Sequence, residues 1–307
     1  MKKSFWSLLL VLLCLADCSM QESNVQQAVP TGQPETVETL IPTATATPTP
    51  TVALVQPEII PEQGIYVSEN GVLYVEGNAY SLTFEDEFEG TELDTTKWER
   101  CPEWKRQDLN CYWDDECSVV NGDGTLSIRS EYRDGIYYMG AIRSKNKFSQ
   151  TYGYFEVRCT LNTIPGYWTA FWLMGENVGN VDGSGVDGTE IDIMESAYFG
   201  TAINHAFHWD GYAENHSSIG TNTKNGEVYD GKYHTFSLLW TEEEYIYYID
   251  GKECWRTNAK EAGGVCQAPL YLKFTAETGS WTALALDVNK FPTSVYVDYI
   301  RVYEKSR

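Results

Sequence analysis

Basic residues are scarce in this chain of 307 residues. Lys and Arg total 22 against 44 Asp and Glu, a formal net charge of −22 at pH 7 with an isoelectric point near 4.5. Proteins that bind nucleic acid usually present a basic surface, so we expect no nucleic acid partner. The excess of acid is compatible with an exported protein that acts on a neutral substrate.

Long helical periodicity is also lacking. From Gly64 onward the chain consists of short alternating segments divided by turn signals, which are typical of β-strands. Tyr154 to Leu161 predicts a half-buried strand, Asp250-Gly251 a hairpin turn, and Ser294 to Glu304 a closing C-terminal strand. These features favour an all-β fold, a two-sheet antiparallel sandwich, for which the β-jelly roll is the commonest topology.

No apolar segment is long enough to span a bilayer. The run from Phe5 to Ala16 follows Lys2 and Lys3, so residues 1–18 predict a signal peptide and an exported, extracellular or cell-surface protein. Leu15-Ala16-Asp17-Cys18 resembles a bacterial lipoprotein box, although Asp17 replaces the small residue usual there. A membrane tether through lipidated Cys18 is therefore one expectation.

Large apolar residues are few between residues 19 and 62, where Pro, Thr, Gln and Glu dominate. Such a segment cannot bury enough surface to offset its ordering entropy, so it predicts a disordered linker. We expect one folded catalytic domain over residues 63–307, and we expect the protein to be a monomer.

Two of the eight cysteines, Cys14 and Cys18, belong to the signal region. The other six are Cys101, Cys111, Cys117, Cys159, Cys254 and Cys266. Export permits disulfides, but six cysteines allow fifteen pairings. Pairing of Cys101 with Cys111 or Cys117, and of Cys254 with Cys266, is a guess from proximity in the chain. The spacing fits no common zinc site.

Three acids alternate with bulky apolar residues between Thr189 and Ser196. Side chains alternate faces along a regular strand, so Glu190 and Asp192 share a face that Glu195 does not. A β-bulge between Asp192 and Glu195 would bring all three acids to one side and leave the intervening isoleucines in the core. Acids are rarely buried without a partner, so we interpret the three as functional rather than structural.

Aromatic residues make up 14% of the chain, and several stand just ahead of these acids. Trp168 and Trp172 are four residues apart, so both indoles face the same side of a strand. Sugar rings have apolar faces that stack on indole, which makes the two residues candidate substrate contacts. The alternative is that one or both simply fill the core.

Six stretches in order and spacing resemble glycoside hydrolase family 16, over about Leu82 to Tyr303. They are Phe84 to Phe88, Gly140 to Lys145, Tyr152 to Arg158, Trp168 to Met174, Glu190 to Glu195 and Val297 to Tyr303. The resemblance implies a two-sheet antiparallel β-jelly-roll sandwich, concanavalin A-like, with a concave substrate cleft. It also implies an endo-acting β-glycanase that acts on a polysaccharide or oligosaccharide. The extra residue Met194 resembles the laminarinase-like branch, in which the catalytic strand is bulged.

By this resemblance Glu190 is the nucleophile, Glu195 the acid/base, and Asp192 the residue that orients and tunes the pair. Retaining hydrolysis uses two carboxyl groups about 5 Å apart. Two acids that close do not ionise together easily, so Glu195 is expected to hold its proton while Glu190 is charged. No cofactor is needed for this reaction.

The resemblance also implies roles for residues away from the acids. Arg143 and His208 match positions that contact the sugar, against the alternatives of a surface salt bridge and a hydrogen-bonded core residue. His205 and His208 have opposite parity, so they do not predict a metal pair. A structural calcium would be bound by the backbone carbonyls of Glu87 and Gly124 and by the Asp298 side chain.

Two departures from the laminarinase pattern bear on the substrate. Thr169 stands where a Pro usually follows the first Trp, and Val186 to Thr189 lacks the Trp usual before the first catalytic Glu. We favour an endo-β-1,3(4)-glucanase. An endo-β-galactosidase acting on galactose-containing glycans and a non-catalytic carbohydrate-binding module remain open, and the three intact acids weigh against the module.

Overall fold

The computed structural model describes residues 64–68, 71–101, 104–106, 110–198, 201–258, 260–278 and 286–307. The predicted signal peptide, the predicted linker and Cys18 lie outside these residues. Within the described part, no helix has the length and the apolar character needed to cross a bilayer.

Two β-sheets account for the described strands. The larger sheet contains thirteen strands, nine of them in the order β18-β17-β16-β11-β20-β8-β9-β6-β5. Its strands are β1 (Ile65–Val67), β2 (Leu73–Val75), β3 (Asn78–Asp86), β5 (Trp104–Arg106), β6 (Cys111–Trp113), β7 (Ser118–Val120), β8 (Leu126–Arg133), β9 (Ile136–Met139), β11 (Gly153–Cys159), β16 (His234–Trp240), β17 (Glu244–Ile249), β18 (Lys252–Asn258) and β20 (Thr293–Lys305).

The smaller sheet contains seven strands in the order β15-β14-β13-β12-β19-β10-β4. They are β4 (Glu99–Arg100), β10 (Ala141–Arg143), β12 (Trp168–Met174), β13 (Glu190–Tyr198), β14 (Ala202–Trp209), β15 (Ser217–Thr223) and β19 (Tyr271–Glu277). Three short 3₁₀ turns cover Asp115–Cys117, Gly226–Tyr229 and Val288–Lys290.

The predicted all-β, two-sheet architecture is confirmed. Adjacent strands are antiparallel except for the parallel pair β6 and β9. Asp250 and Gly251 turn the chain between β17 and β18 with φ values of 49° and 71°, which is the positive-φ hairpin that the sequence predicted. The C-terminal strand β20 pairs with β3, β8 and β11 and so joins three parts of the larger sheet.

The main hydrophobic core lies between the two sheets. Phe155 and Val157 of β11 project into it from the larger sheet, and Phe171 and Ile191 project into it from the smaller one. All four are fully buried. Because the inner face of the smaller sheet is anchored in this way, its other face is free to carry a cleft.

The expectation that the strand beginning at Tyr154 is half-buried is wrong. Tyr154, on the face of β11 opposite to Phe155, is only 1% exposed. Residues of β1, β2 and β3, among them Leu73, Val75 and Tyr80, pack with it in a second cluster. The N-terminal strands therefore cover the face that alternation alone assigned to solvent.

The guessed disulfides are also wrong, because all six cysteines in the described part are free thiols. Cys101 packs with Trp113 and Trp172 on the cleft side, whereas Cys111 lies in the main core. The Cys254 sulfur lies 3.5 Å from Nε2 of His205 and is thus held in the core. Closeness in the chain did not bring these thiols together.

Glu156 is a buried acid on the covered face of β11. It is 4% exposed and accepts hydrogen bonds from the hydroxyls of Tyr154 (2.8 Å), Ser237 (2.9 Å) and Tyr299 (3.0 Å). These donors come from three strands, β11, β16 and β20. The carboxylate therefore ties the centre of the larger sheet together.

Replacing Glu156 with Ala would leave three buried hydroxyls without their acceptor. Unsatisfied buried polar groups cost about 1–3 kcal/mol each, so we expect Glu156→Ala to lower the free energy of unfolding by roughly 3 kcal/mol. Urea unfolding measures this. The exposed Glu92→Ala is the matched control. Equal stability of the two variants would contradict the role of Glu156.

Candidate active site

The site begins with a break in the register of β13. Asp192 lies opposite Trp172 of β12 and Met194 lies opposite Phe171, so Ile193 is an extra residue with no partner of its own. The pairing with β14 shifts at the same place, between Asp192 and Glu195. This is the predicted β-bulge, although the residue without a partner is Ile193 and not Met194. It turns Glu195 to the cleft side while Ile193 stays in the core.

His205 of β14 supports the bulge from the core side. Its Nδ1–H donates to the backbone carbonyl of the extra residue Ile193 at 2.7 Å, and its ring packs against Tyr247 and Trp255. Burial lowers the pKa of His205 to about 4, so the ring is neutral at pH 7. His205 and His208 face opposite sides of the sheet, as their parity predicted.

A cleft of about 650 Å³ lies over the smaller sheet. Five elements of the sheet and one loop contribute to it. Its lining includes Trp168, Ala170, Trp172 and Met174 from β12, Glu190, Asp192 and Glu195 from β13, Asn204, Ala206 and His208 from β14, Tyr212 and His216 from the following loop, Ser218, Ile219 and Gly220 from β15, and Lys273 and Glu277 from β19.

Glu195 is buried at the bottom of this cleft. It is 5% exposed, and its Oε2 accepts a hydrogen bond of 2.5 Å from Nδ2 of Asn204. Burial raises the pKa of Glu195 well above its usual value, and the nearby Asp192 carboxylate adds to the rise. A carboxyl group in this environment holds its proton to higher pH and is suited to act as a general acid.

Asp192 lies between the two glutamates and is 4% exposed. Burial raises its pKa well above the usual value, Glu190 and Glu277 raise it further, and Lys273 opposes the shift. Its Oδ2 is 3.3 Å from Nε2 of His208. Asp192 therefore connects the acids to the histidine on the neighbouring strand.

Two residues that sequence reasoning missed complete this wall of the cleft. The Tyr212 hydroxyl donates to Oε2 of Glu190 at 2.5 Å. His216 Nε2 lies 2.8 Å from His208 Nδ1, with the two rings stacked 5.0 Å apart. Both residues follow His208 within eight residues, and their closeness in the chain to that predicted sugar contact is the signal that could have found them.

Both predicted tryptophans line the cleft, but Trp172 is only 7% exposed. The Lys273 ammonium lies 3.7 Å from the centre of its ring, and its Nε1–H donates to Thr275 Oγ1 at 3.2 Å. A cation over the ring occupies the face that a sugar would use. Trp168 is partly exposed and is the better candidate for stacking.

Arg143 is not among the residues that line the cavity. Its Nε donates to the Glu99 carboxylate at 2.9 Å, across the edge pair of β10 and β4. The salt bridge that the sequence left as an alternative is therefore present. A sugar contact by Arg143 stays a prediction.

The residues predicted for calcium lie far along the chain from the acids. A Cβ built on Gly124 would lie 3.9 Å from the Glu87 carbonyl, so those two backbones are adjacent. The Asp298 carboxylate, however, pairs with the Arg158 guanidinium. Calcium takes six to eight oxygen ligands, and the one charged ligand of this set already has a cationic partner. The fit is therefore incomplete.

Glu190, Asp192 and His208 are the one group in the described part with metal-ligating atoms close together, all within 4.8 Å of one another. Glu190 already accepts from Tyr212, and Asp192 contacts His208. Each of the three residues thus already has a polar partner within the protein.

Comparison of the chain with known proteins identifies its family. Residues 81–305 match the family model described as β-porphyranase A–D, GH16 domain, which is most of the chain. The chain belongs to glycoside hydrolase family 16. It is 28% identical over 73% of its length to a glucan endo-1,3-β-glucosidase A1 of Niallia circulans, and 29% identical over 73% to a keratan-sulfate endo-1,4-β-galactosidase of Sphingobacterium multivorum.

Family 16 members of known structure share the fold. The catalytic domain of an endo-1,3-β-glucanase (laminarinase) from Thermotoga petrophila RKU-1 is 26% identical, with a TM-score of 0.64 over 75% of this chain and 100% of that one. The chain spans only 38% and 55% of the length of the Niallia and Sphingobacterium relatives.

The burial of Glu195 predicts a gain in stability when its charge is removed. Its folded-state pKa is raised, so the stability it contributes is present below about pH 4.5 and is lost as pH rises through the folded pKa. We expect Glu195→Gln to be more stable than wild type at pH 7, on the order of 1 kcal/mol, and this gain to vanish near pH 4.5.

Thermal unfolding of both proteins between pH 4 and 8 measures this difference. The exposed Glu304→Gln serves as the control and should show no such trend. A Glu195→Gln variant less stable than wild type at pH 7 would contradict the burial cost assigned to the carboxyl.

Proposed function

We propose that this protein is a retaining endo-β-glycanase in which Glu190 is the nucleophile and Glu195 the acid/base. The observation that carries the proposal is the bulge at Ile193, because it sets Glu190 and Glu195 in one cleft but in different environments. Glu195 is buried with a raised pKa, whereas Glu190 is half-buried and accepts the Tyr212 hydroxyl. Such a difference assigns acid and nucleophile.

In the first step, the Glu190 carboxylate attacks the anomeric carbon while the bond to the leaving oxygen breaks. Glu195 transfers its proton to that oxygen, and a covalent glycosyl-enzyme forms. The neighbouring Asp192 carboxyl contributes to the raised pKa of Glu195, which keeps the acid protonated until substrate binds.

In the second step, water replaces the released part of the glycan. Glu195 gave its proton to the leaving oxygen in the first step, and it can stay ionised because the ester has removed the charge of Glu190. The Glu195 carboxylate then takes a proton from the water. The water oxygen bonds to the anomeric carbon as the ester bond breaks. Both carboxyl groups then return to their initial states with the configuration of the sugar retained.

For the substrate, we propose a β-1,3 or mixed-linkage β-1,3(4)-glucan. The support is the sequence similarity to the glucan endo-1,3-β-glucosidase of Niallia circulans and the shared fold with the endo-1,3-β-glucanase of Thermotoga petrophila, both named for this activity. Trp168 offers a partly exposed indole in the cleft for a sugar ring.

A galactose-containing glycan is the second candidate. It is favoured by the match to the β-porphyranase model and by the keratan-sulfate endo-1,4-β-galactosidase, which is as similar as the glucanases. The cleft wall beside Glu190 also carries Tyr212 and His216, and the residues just before the acid strand, Val186 to Thr189, include no tryptophan.

A panel of substrates distinguishes the β-glucan proposal from the galactose-containing candidate. Purified residues 63–307 are incubated with laminarin, lichenan, agarose, porphyran, keratan sulfate and mucin glycans, and the sugar at the new reducing end is identified. Glucose at that end supports the glucan proposal, and galactose replaces it with the second candidate. Internal cleavage products are expected early, because the proposed action is endo.

Removal of either catalytic carboxyl should abolish cleavage. We expect Glu190→Gln and Glu195→Gln each to lower kcat by at least about a thousandfold on polysaccharide, because each removes a group that takes part in bond making. An aryl glycoside with a good leaving group should restore the first step in Glu195→Gln and not in Glu190→Gln. Near wild-type release of reducing ends by either variant would refute the assignment.

We also propose that the protein is exported and tethered by lipid at Cys18. The support is the basic and apolar N-terminal stretch and the lipoprotein-like Leu15-Ala16-Asp17-Cys18. Incorporation of labelled palmitate into the full chain, and its loss in Cys18→Ala, is the expected result. An unlabelled wild-type chain found in the cytosolic fraction would contradict the proposal.

A further inference from the structure

Tyr212 lies directly over the proposed nucleophile. Its hydroxyl is 2.5 Å from Oε2 of Glu190 and 3.6 Å from the sulfur of Met174, so its tip is enclosed by the cleft. The side chain as a whole is 56% exposed, because the ring forms part of the cleft wall. Tyr212 thus presents a donor to the acid and a ring face to the space above it.

The loop that carries Tyr212 is attached firmly at its start. The buried Asp210 side chain accepts hydrogen bonds from the backbone N–H groups of Asp182 (3.0 Å) and Gly183 (3.1 Å). The Gly211 N–H donates to the Val178 carbonyl at 2.7 Å. Asp210 and Gly211 both have positive φ, and this sharp turn directs the next residue back over the cleft.

The hydroxyl of Tyr212 is well suited to remain a donor. Burial of its tip and the Glu190 carboxylate both raise the pKa of Tyr212 far above its usual value. The ring also packs 5.9 Å from that of His216, which is stacked on His208. The phenol is therefore protonated, with its hydroxyl bonded to Glu190 and its ring packed against His216.

We propose that Tyr212 is a positioning residue for the nucleophile, and that its hydrogen bond stabilises the Glu190 carboxylate as it departs from the sugar. The inference rests on the proposed function, because it takes Glu190 as the nucleophile. It adds a residue from outside the acid strand to the machinery of the reaction.

The two chemical steps respond differently to this hydrogen bond. Glu190 loses its charge in the first step, so a donor that stabilises the ionised carboxylate works against attack while it fixes the geometry. Glu190 regains its charge in the second step, where the same donor favours departure. Removing the hydroxyl should therefore slow hydrolysis of the glycosyl-enzyme more than its formation.

The test is Tyr212→Phe, which keeps the ring and removes only the hydroxyl. We expect kcat on an oligosaccharide of the identified substrate to fall about 10- to 100-fold, the range for a hydrogen bond to a charged group. KM should fall together with kcat, so that kcat/KM changes much less than kcat, because the slowed second step lets the glycosyl-enzyme accumulate. Rapid acid quench and intact mass measurement during turnover should show a larger fraction of glycosyl-enzyme than in wild type.

Tyr296→Phe is the matched control, because Tyr296 is 43% exposed on β20 of the larger sheet. It should keep wild-type kcat and a wild-type level of glycosyl-enzyme. Circular dichroism and the Tm of both variants establish that they fold, so a merely structural loss is separated from a change in the reaction.

Three results would overturn the inference: an unchanged kcat, a rise in KM alone, or a lower kcat without accumulation of glycosyl-enzyme. A rise in KM alone would make Tyr212 only a sugar contact. Any of these leaves the proposed function standing if Glu190→Gln is inactive. Full activity of Glu190→Gln would overturn the proposed function and this inference together.

Discussion

The bulge in β13 is the constraint on which the rest of the site depends. A regular strand would direct Glu195 into the core with the isoleucines, since parity reverses over three residues. The extra residue Ile193 interrupts the pairing of β13 with both neighbouring strands. From the core side, the Nδ1–H of His205 donates a hydrogen bond to the Ile193 carbonyl. The arrangement of the three acids is thus supported by a neutral histidine on the opposite face of the sheet.

This arrangement buries acidic side chains, which costs folding free energy. Asp192, Glu195 and Glu277 are each at most 5% exposed, and their mutual repulsion adds to the cost of desolvation. Lys273, held over the indole of Trp172, offsets part of the repulsion at Asp192. The core between the sheets and contacts such as those of Glu156 offset the free-energy cost of burying these acids.

The loop after β14 builds one wall of this cleft. The sequence has no tryptophan just ahead of the acid strand, and the side of the cleft near Glu190 is instead built by Tyr212 and His216. Asp210 and Gly211 fix that loop through contacts with the segment at residues 178–183. The acids and this wall of the cleft therefore come from different parts of the chain.

The amino-acid sequence alone determined the all-β class, the C-terminal strand, the hairpin at Asp250-Gly251 and the bulge between Asp192 and Glu195. All of these follow from local alternation, turn chemistry or parity, which short stretches carry within themselves. The tertiary structure alone decided that β1 to β3 cover Tyr154, that the cysteines stay apart, that Lys273 covers Trp172 and that Tyr212 reaches Glu190. Each of these joins residues distant in the chain, and their meeting depends on strand order and loop path, which no local pattern encodes.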